Sequence, residues 1–276
     1  MLPILHRLIY GLLSGLTEFL PVGSQPHQNI YSYLTGFNLN DPWLKVSVLA
    51  GAFFALIFSL RKEFSEIADG QKLYRYAQRR RQKGPQPMGS LTARLYKIAM
   101  IPMLISILFY SAAMTLGTSF PALILMLLLN GFVLIIPRLL PAGDKDGRTM
   151  TKLDAFLMGL GGALGVIPGL SRIGCACAIG EAKGGNPGYV LRIALLAAVW
   201  PLALLLSFSV LGAISYVEAI ATPLILADLG AAVCSFSGAY LSIRFLRWIC
   251  EKIGLYKFAF YSWVFCLVVF ILYMFA

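Results

Sequence analysis

Along this chain the apolar positions run on continuously; they neither alternate nor recur on one helical face. Six runs, 42–60, 98–116, 120–137, 189–213, 219–243 and 257–276, come close to or exceed the roughly 20 residues that a helix needs to cross a bilayer, and polar stretches separate several of them. Two further regions, 2–36 and 153–183, are apolar but interrupted in the middle by proline and glycine. Proline removes a helical hydrogen bond, so each region reads as two half-helices joined by a turn, a re-entrant hairpin rather than a full crossing. The pattern predicts an all-α polytopic membrane protein with six transmembrane helices plus two re-entrant helical hairpins, in a single membrane domain over 1–276. A β-barrel would show short alternating segments, and this sequence does not.

Composition agrees. Hydrophobic residues make up 59% of the chain and charged residues 13%, with a mean hydropathy of +0.78, far from the balance of a soluble domain. The net charge of +11 would suit nucleic acid if it formed a patch, but 18 of the 23 Lys and Arg fall in 61–97, 138–152 and 244–257, between hydrophobic runs. That is the distribution of cytoplasmic loops, and nucleic acid is not expected as a partner. The densest part, "YRYAQRRRQKGPQP" (74–87), reads as a solvated, orientation-setting loop, with contact to anionic membrane lipids as the alternative.

Placing the three basic segments inside fixes the direction of every span. The connections 117–119 and 214–218 carry no Lys or Arg and fall outside. The first hairpin then opens from the outer face, the second from the inner face, and the C-terminus lies outside. One hairpin plus three spans is repeated with opposite orientation, about 1–140 and 150–276, an inverted repeat of the kind that places a polar site where broken helices meet. "LSGLTEFLPVGSQPH" (13–27) set against "LGGALGVIPGLSRIG" (160–174) pairs Leu13 with Leu160, Gly15 with Gly162, Pro21 with Pro168 and Ser24 with Ser171.

The remaining features stay structural. Five cysteines with only two histidines give zinc little support, and they read as small packing residues. The first 20 residues superficially resemble a signal peptide, but Glu18 interrupts the apolar run and no small-residue cleavage site follows, so they are read as part of the fold. Small residues such as 229–239 suit packing within the chain or in a homodimer.

The chemistry concentrates at the two hairpin turns. If the turns approach, Glu18, Ser24 and His27 face Ser171 and Arg172. Charges within a bilayer face one another or a wet cavity. Arg172, beside the Pro168–Gly169 break, offers a fork of donors matched to phosphate. Helix N-termini following Pro21 and Pro168 would aim N–H groups at an anion, with Ser24 and Ser171 as caps or as phosphate donors. Glu18 suits a metal ligand or a base, and His27 a proton shuttle or a structural hydrogen-bonding residue. Asp228, in the middle of a span, is expected to pair with a neighbouring helix.

At these residues the sequence resembles the undecaprenyl-diphosphate phosphatase family of the bacitracin-resistance type. "GLTEFLPVGSQPH" matches its E-G-x-T-E-F-L-P-x-S-S-T-G-H motif and "IPGLSRIG" its P-G-x-S-R-S-G-A-T motif. The resemblance implies hydrolysis of undecaprenyl diphosphate to the monophosphate in the bacterial cytoplasmic membrane, with a divalent cation, Mg or Ca. It places catalytic roles on Glu18, Ser24, His27 and Arg172, phosphate binding on Ser171, Arg172 and Gly169, and the metal on Glu18. The chain departs from the motifs at Ser14, where the family has its first glutamate, and at Gly23, Gln25, Pro26, Gly162, Ile173 and Ala176. Two functions therefore follow: a divergent lipid-diphosphate phosphatase, or a non-hydrolytic polyprenyl-phosphate binding protein or flippase on the same fold.

Overall fold

The computed structural model describes residues 2–81, 84–117, 119–215 and 222–275. Among them there is helix and no strand, in the order α1 (Leu2–Phe19), α2 (Ser24–Thr35), α3 (Pro42–Ser59), α4 (Arg61–Arg79), α5 (Met88–Ile107), α6 (Tyr110–Leu116), α7 (Phe120–Ile135), α8 (Lys152–Ala163), α9 (Arg172–Ala182), α10 (Pro187–Ile214), α11 (Thr222–Lys252) and α12 (Lys257–Met274). Six helical stretches are long and apolar enough to cross a membrane, which makes the chain a multi-pass membrane protein. Residues 216–218 of the expected loop 214–218 lie outside the described residues, as does the start of the expected span 219–243.

Helix α10 supplies much of the centre of the molecule, with Val190, Ile193, Leu195 and Ala197 fully buried. Around it α1 packs on α11 as α8 packs on α5, and α3 packs on α11 as α10 packs on α5. Helices α3 and α10 touch each other, and so do α7 and α12. Exchanging α1 with α8, α3 with α10, α5 with α11 and α7 with α12 leaves this pairing scheme unchanged.

Small residues set these contacts. Gly11 and Gly15 lie against the backbone of Ala231 and Ser235 on α11, and Gly159 and Gly162 lie against Ala99 and Met103 on α5. A side chain at Gly15 would drive into the α11 backbone. In hydrocarbon, helices associate through close packing rather than through exclusion of water, so such contacts carry much of the attraction. The small-residue stripe at 229–239 is thus used within the chain, against α1 and α3. Asp228 and Asp41, which caps α3, both pair with Arg7 of α1. A charge pair of this kind is how a membrane helix tolerates ionised groups.

Two elements differ from the hydropathy reading. The second span starts at Met88, ten residues before 98, because Leu91, Ala93 and Leu95 face the core while Arg94 and Lys97 face out. It ends at Ile107, where Ser106 Oγ donates to Met103 O at 2.8 Å, a back-bond that competes with the helical ladder. The short helix α6 follows. Two of the three basic segments, 61–97 and 244–257, are also largely helical. Most of 61–97 forms α4 and the start of α5, and α11 continues to Lys252, with Arg247 paired to Glu63 at 2.8 Å.

Both Pro-Gly regions fold as helix, turn, helix. Helices α8 and α9 have 12 and 11 residues, so at about 1.5 Å per residue each is far shorter than the ~30 Å hydrocarbon core.

Candidate active site

The two turns meet glycine to glycine. Gly23 (φ 71°) and Gly169 (φ 99°) both adopt left-handed backbone, which glycine enters without strain. A Cβ on Gly23 would come within 2.8 Å of the Gly169 carbonyl oxygen. Ser171 caps α9 by accepting from Gly174 N at 3.1 Å, and its Oγ donates to Leu20 O of the other turn at 3.1 Å.

Asn130 of α7, fully buried, joins both turns. Its amide donates to Pro21 O at 3.1 Å and to Ser262 Oγ on α12 at 3.0 Å, and its carbonyl accepts from Ser171 N at 3.0 Å. The sequence analysis passed over this residue, although one amide inside "LILMLLLNGFVLI" must find partners in hydrocarbon. Replacing it by alanine orphans backbone groups of both turns, each worth about 1–3 kcal/mol. Asn130→Ala should therefore unfold at clearly lower temperature in a detergent melting assay, and Asn130→Asp, which loses the amide donors to Pro21 O and Ser262 Oγ and buries an acid, should not recover the loss.

Beside the joined turns lies a cavity of about 560 Å³. Glu18, Ser24, Gly169, Ser171 and Arg172 all line it, so residues 145 or more positions apart share one pocket. Ser24 Oγ donates to Glu18 Oε2 at 3.1 Å. Arg172 is the first residue of α9, and its Nε is buried without a hydrogen-bond partner. Its charge acts on Glu18, yet the two form no ion pair. A guanidinium left free at a cavity wall is poised for an anion that is not protein.

The helix termini add to this field. Gly23 cannot cap α2 with a side chain, which leaves the Ser24 and Gln25 N–H groups open at the cavity edge; Pro26 has none. The N-termini of α2 and α9 thus both border the cavity, and helix N-termini attract anions. Lys45 of α3 adds a second cation to the lining, its Nζ 5.7 Å from the centre of the Tyr110 ring. Sequence reasoning missed Lys45, since a lysine near the start of a span looks like an ordinary end residue.

His27 stands apart. It does not line the cavity, and its ring stacks on Phe265 of α12 at 4.0 Å. Nδ1 meets Gly23 O at 2.8 Å and Nε2 meets Tyr261 OH at 2.7 Å, so both nitrogens are engaged. The Ser171 hydroxyl is likewise occupied, as cap and as cross-link between the turns. Of the two serines, Ser171 caps its helix, whereas Ser24 turns its hydroxyl to Glu18.

Glu18 is the only carboxylate among the lining residues, with Ser14 one turn before it on the same face of α1. Among the described residues no cluster of three or more His, Cys, Asp or Glu could hold a metal ion. A single carboxylate and nearby hydroxyls fit a hard cation such as Mg²⁺ or Ca²⁺ where substrate phosphates complete its oxygen shell.

The family profile described as "Bacitracin resistance protein BacA" matches residues 7–268. A protein of Nocardioides sp. named undecaprenyl-diphosphatase is 30% identical over 203 residues, covering 72% of each chain. Undecaprenyl-diphosphatase 1 of Shouchella clausii is 28% identical over 280 residues, covering 97% of this chain and 96% of its own. The undecaprenyl-diphosphatase of Methanobrevibacter smithii is 28% identical over 277 residues, with the same coverage.

Proposed function

Because the chain belongs to the bacitracin resistance protein BacA family, we propose that it hydrolyses undecaprenyl diphosphate to undecaprenyl phosphate and inorganic phosphate, returning the lipid carrier for cell-wall synthesis. The observation that carries this reading is the Ser24–Glu18 hydrogen bond facing the free guanidinium of Arg172 in one cavity. A hydroxyl already bonded to a carboxylate is an activated nucleophile with its base in place.

In this mechanism Arg172 holds the terminal phosphate and offsets charge in the transition state. Ser24 Oγ attacks the terminal phosphorus as its proton passes to Glu18. The bond from that phosphorus to the bridging oxygen breaks, and undecaprenyl phosphate leaves with the electron pair. Glu18 gives its proton to solvent and takes another from the water that attacks the phosphoserine; the bond from phosphorus to Ser24 Oγ breaks, Glu18 passes the new proton to Oγ, and inorganic phosphate is freed. Glu18 would hold a divalent cation, which would supply charge neutralisation to the phosphates. His27 and Ser171 are positioning residues that fix the turns, and Gly169 lets the backbone approach the phosphate.

Acid quenching during turnover of substrate labelled in its terminal phosphate should trap label on Ser24. Turnover without such label, persisting in Ser24→Ala, would assign the attack to water instead. Lys45 meets the second phosphate in this reading. Being exposed, it contributes modestly, so Lys45→Ala should raise KM about threefold to fivefold with kcat little changed.

The surrounding topology belongs to the same proposal. The α1–α2 and α8–α9 hairpins enter from opposite faces of the cytoplasmic membrane without crossing, in two inverted repeats, with the basic segments inside and the C-terminus outside. The exchangeable packing scheme supports the repeats, and the shortness of α8 and α9 supports the second hairpin. Helix α4 exposes Lys72, Arg75, Arg79 and Arg80, the last over the ring of Tyr76 at 4.8 Å, which suits anionic lipid head groups.

A further inference from the structure

A second hollow, of about 570 Å³, lies between α6, α8 and α9, and its walls are wholly apolar. Phe109, Leu116, Leu160 and Leu164 form its sides, and all four are exposed on the protein surface. Val166 and Ile167 line this groove and the polar cavity alike, so one stretch of the second turn is the wall between them. Five residues further along the same turn stands Arg172.

We propose that this groove is the seat of the substrate's isoprenoid chain, the part nearest the phosphates. The inference rests on the functional reading above and adds to it a place for the tail. A lipid diphosphate has to lower its phosphates to Arg172 while its branched hydrocarbon stays out of the polar cavity. Amides and hydroxyls such as Gln25, Gln28 and Asn40 surround the phosphate side, so the tail needs an apolar exit that begins at the cavity wall. The groove shares that wall. Its alanines and glycine leave room for the methyl branches between the leucine and phenylalanine side chains.

The expected energetics are modest. The chain comes from bilayer hydrocarbon, which is as apolar as the groove, so no transfer from water drives it in. The groove orients the chain next to the phosphates; it does not supply bulk affinity.

The test uses a polyprenyl monophosphate carrying a photoreactive diazirine on its first isoprene units, mixed with the full protein in vesicles and mapped by peptide sequencing after illumination. Label should concentrate in 109–116 and 160–167 and disappear in Arg172→Ala. Ala112→Trp and Ala163→Trp, which fill the groove, should cut that label by about threefold or more, while Leu226→Trp on the exposed side of α11 should leave it unchanged. Label that depends on Arg172 but maps to other helices would overturn the groove and spare the proposed function. Label on these segments that ignores Arg172 would overturn the phosphate site, and the groove's assignment with it. Should a tryptophan variant fail to fold, the wild-type map alone decides.

Discussion

Replacing Arg172 by alanine should lower phosphate release by about a hundredfold to a thousandfold, the loss usual for one preorganised donor to transition-state charge. The loss should fall mostly on kcat if the guanidinium tightens on the phosphate as charge shifts to the bridging oxygen, and on KM if it holds only the ground state. Arg172→Lys keeps the charge but not the two-pronged donor geometry, so it should recover only part of the rate. Among the described residues the side chain has no hydrogen bond or ion pair, and its Nε is buried without a partner. Removing it therefore breaks no structural contact, and the variant should melt no earlier than the wild type. A variant that lost activity and melted early would point to a structural arginine.

Glu18→Gln should have the other large effect, about a hundredfold to ten-thousandfold on kcat, the range for removing a positioned base. The amide keeps the size of the carboxyl and can still meet Ser24, but it cannot take the proton. Binding of a polyprenyl phosphate in chelator should survive, since without the cation Glu18 faces the hydroxyl rather than the phosphate. Stability should hold or rise, because a neutral amide costs less than a carboxylate inside a membrane protein. Turnover near the wild-type rate in this variant, measured with the same lipid substrate, would leave the proposed chemistry without its base.

Much of this was legible in the sequence for a plain physical reason. Hydrocarbon tolerates few polar groups, so Glu18 and Arg172 stood out against their runs, and Pro21, Gly23, Pro168 and Gly169 marked the turns that bring them together. Of the aligned glycines, Gly15 lies against the Ser235 backbone of α11, whereas Gly162 meets only the Met103 side chain of α5. What stayed hidden depends on the third dimension. On α2, residues 24, 25, 28, 29 and 32 face the cavity, while 26, 27 and 30 turn into the protein. His27 therefore belongs to the packed side despite standing three residues from Ser24. Asn130 lies 109 positions from one of the turns it joins and 41 from the other, and nothing local says what it meets. The end of segment 61–97 reads as loop because averaging over a window blends Arg94 and Lys97 with the buried residues around them. Only their placement around the helix shows that α5 continues through.

The central claim is that the joined turns cleave a diphosphate lipid and do more than hold it. Release of inorganic phosphate from undecaprenyl diphosphate by the purified protein, followed with Mg²⁺, with Ca²⁺ and with chelator, addresses it most directly. The account predicts repeated turnover under at least one of these conditions, lost in both Arg172→Ala and Glu18→Gln. Tight retention of the intact lipid, with no phosphate freed under any of them, would contradict it and leave a carrier or binding protein built on the same pocket.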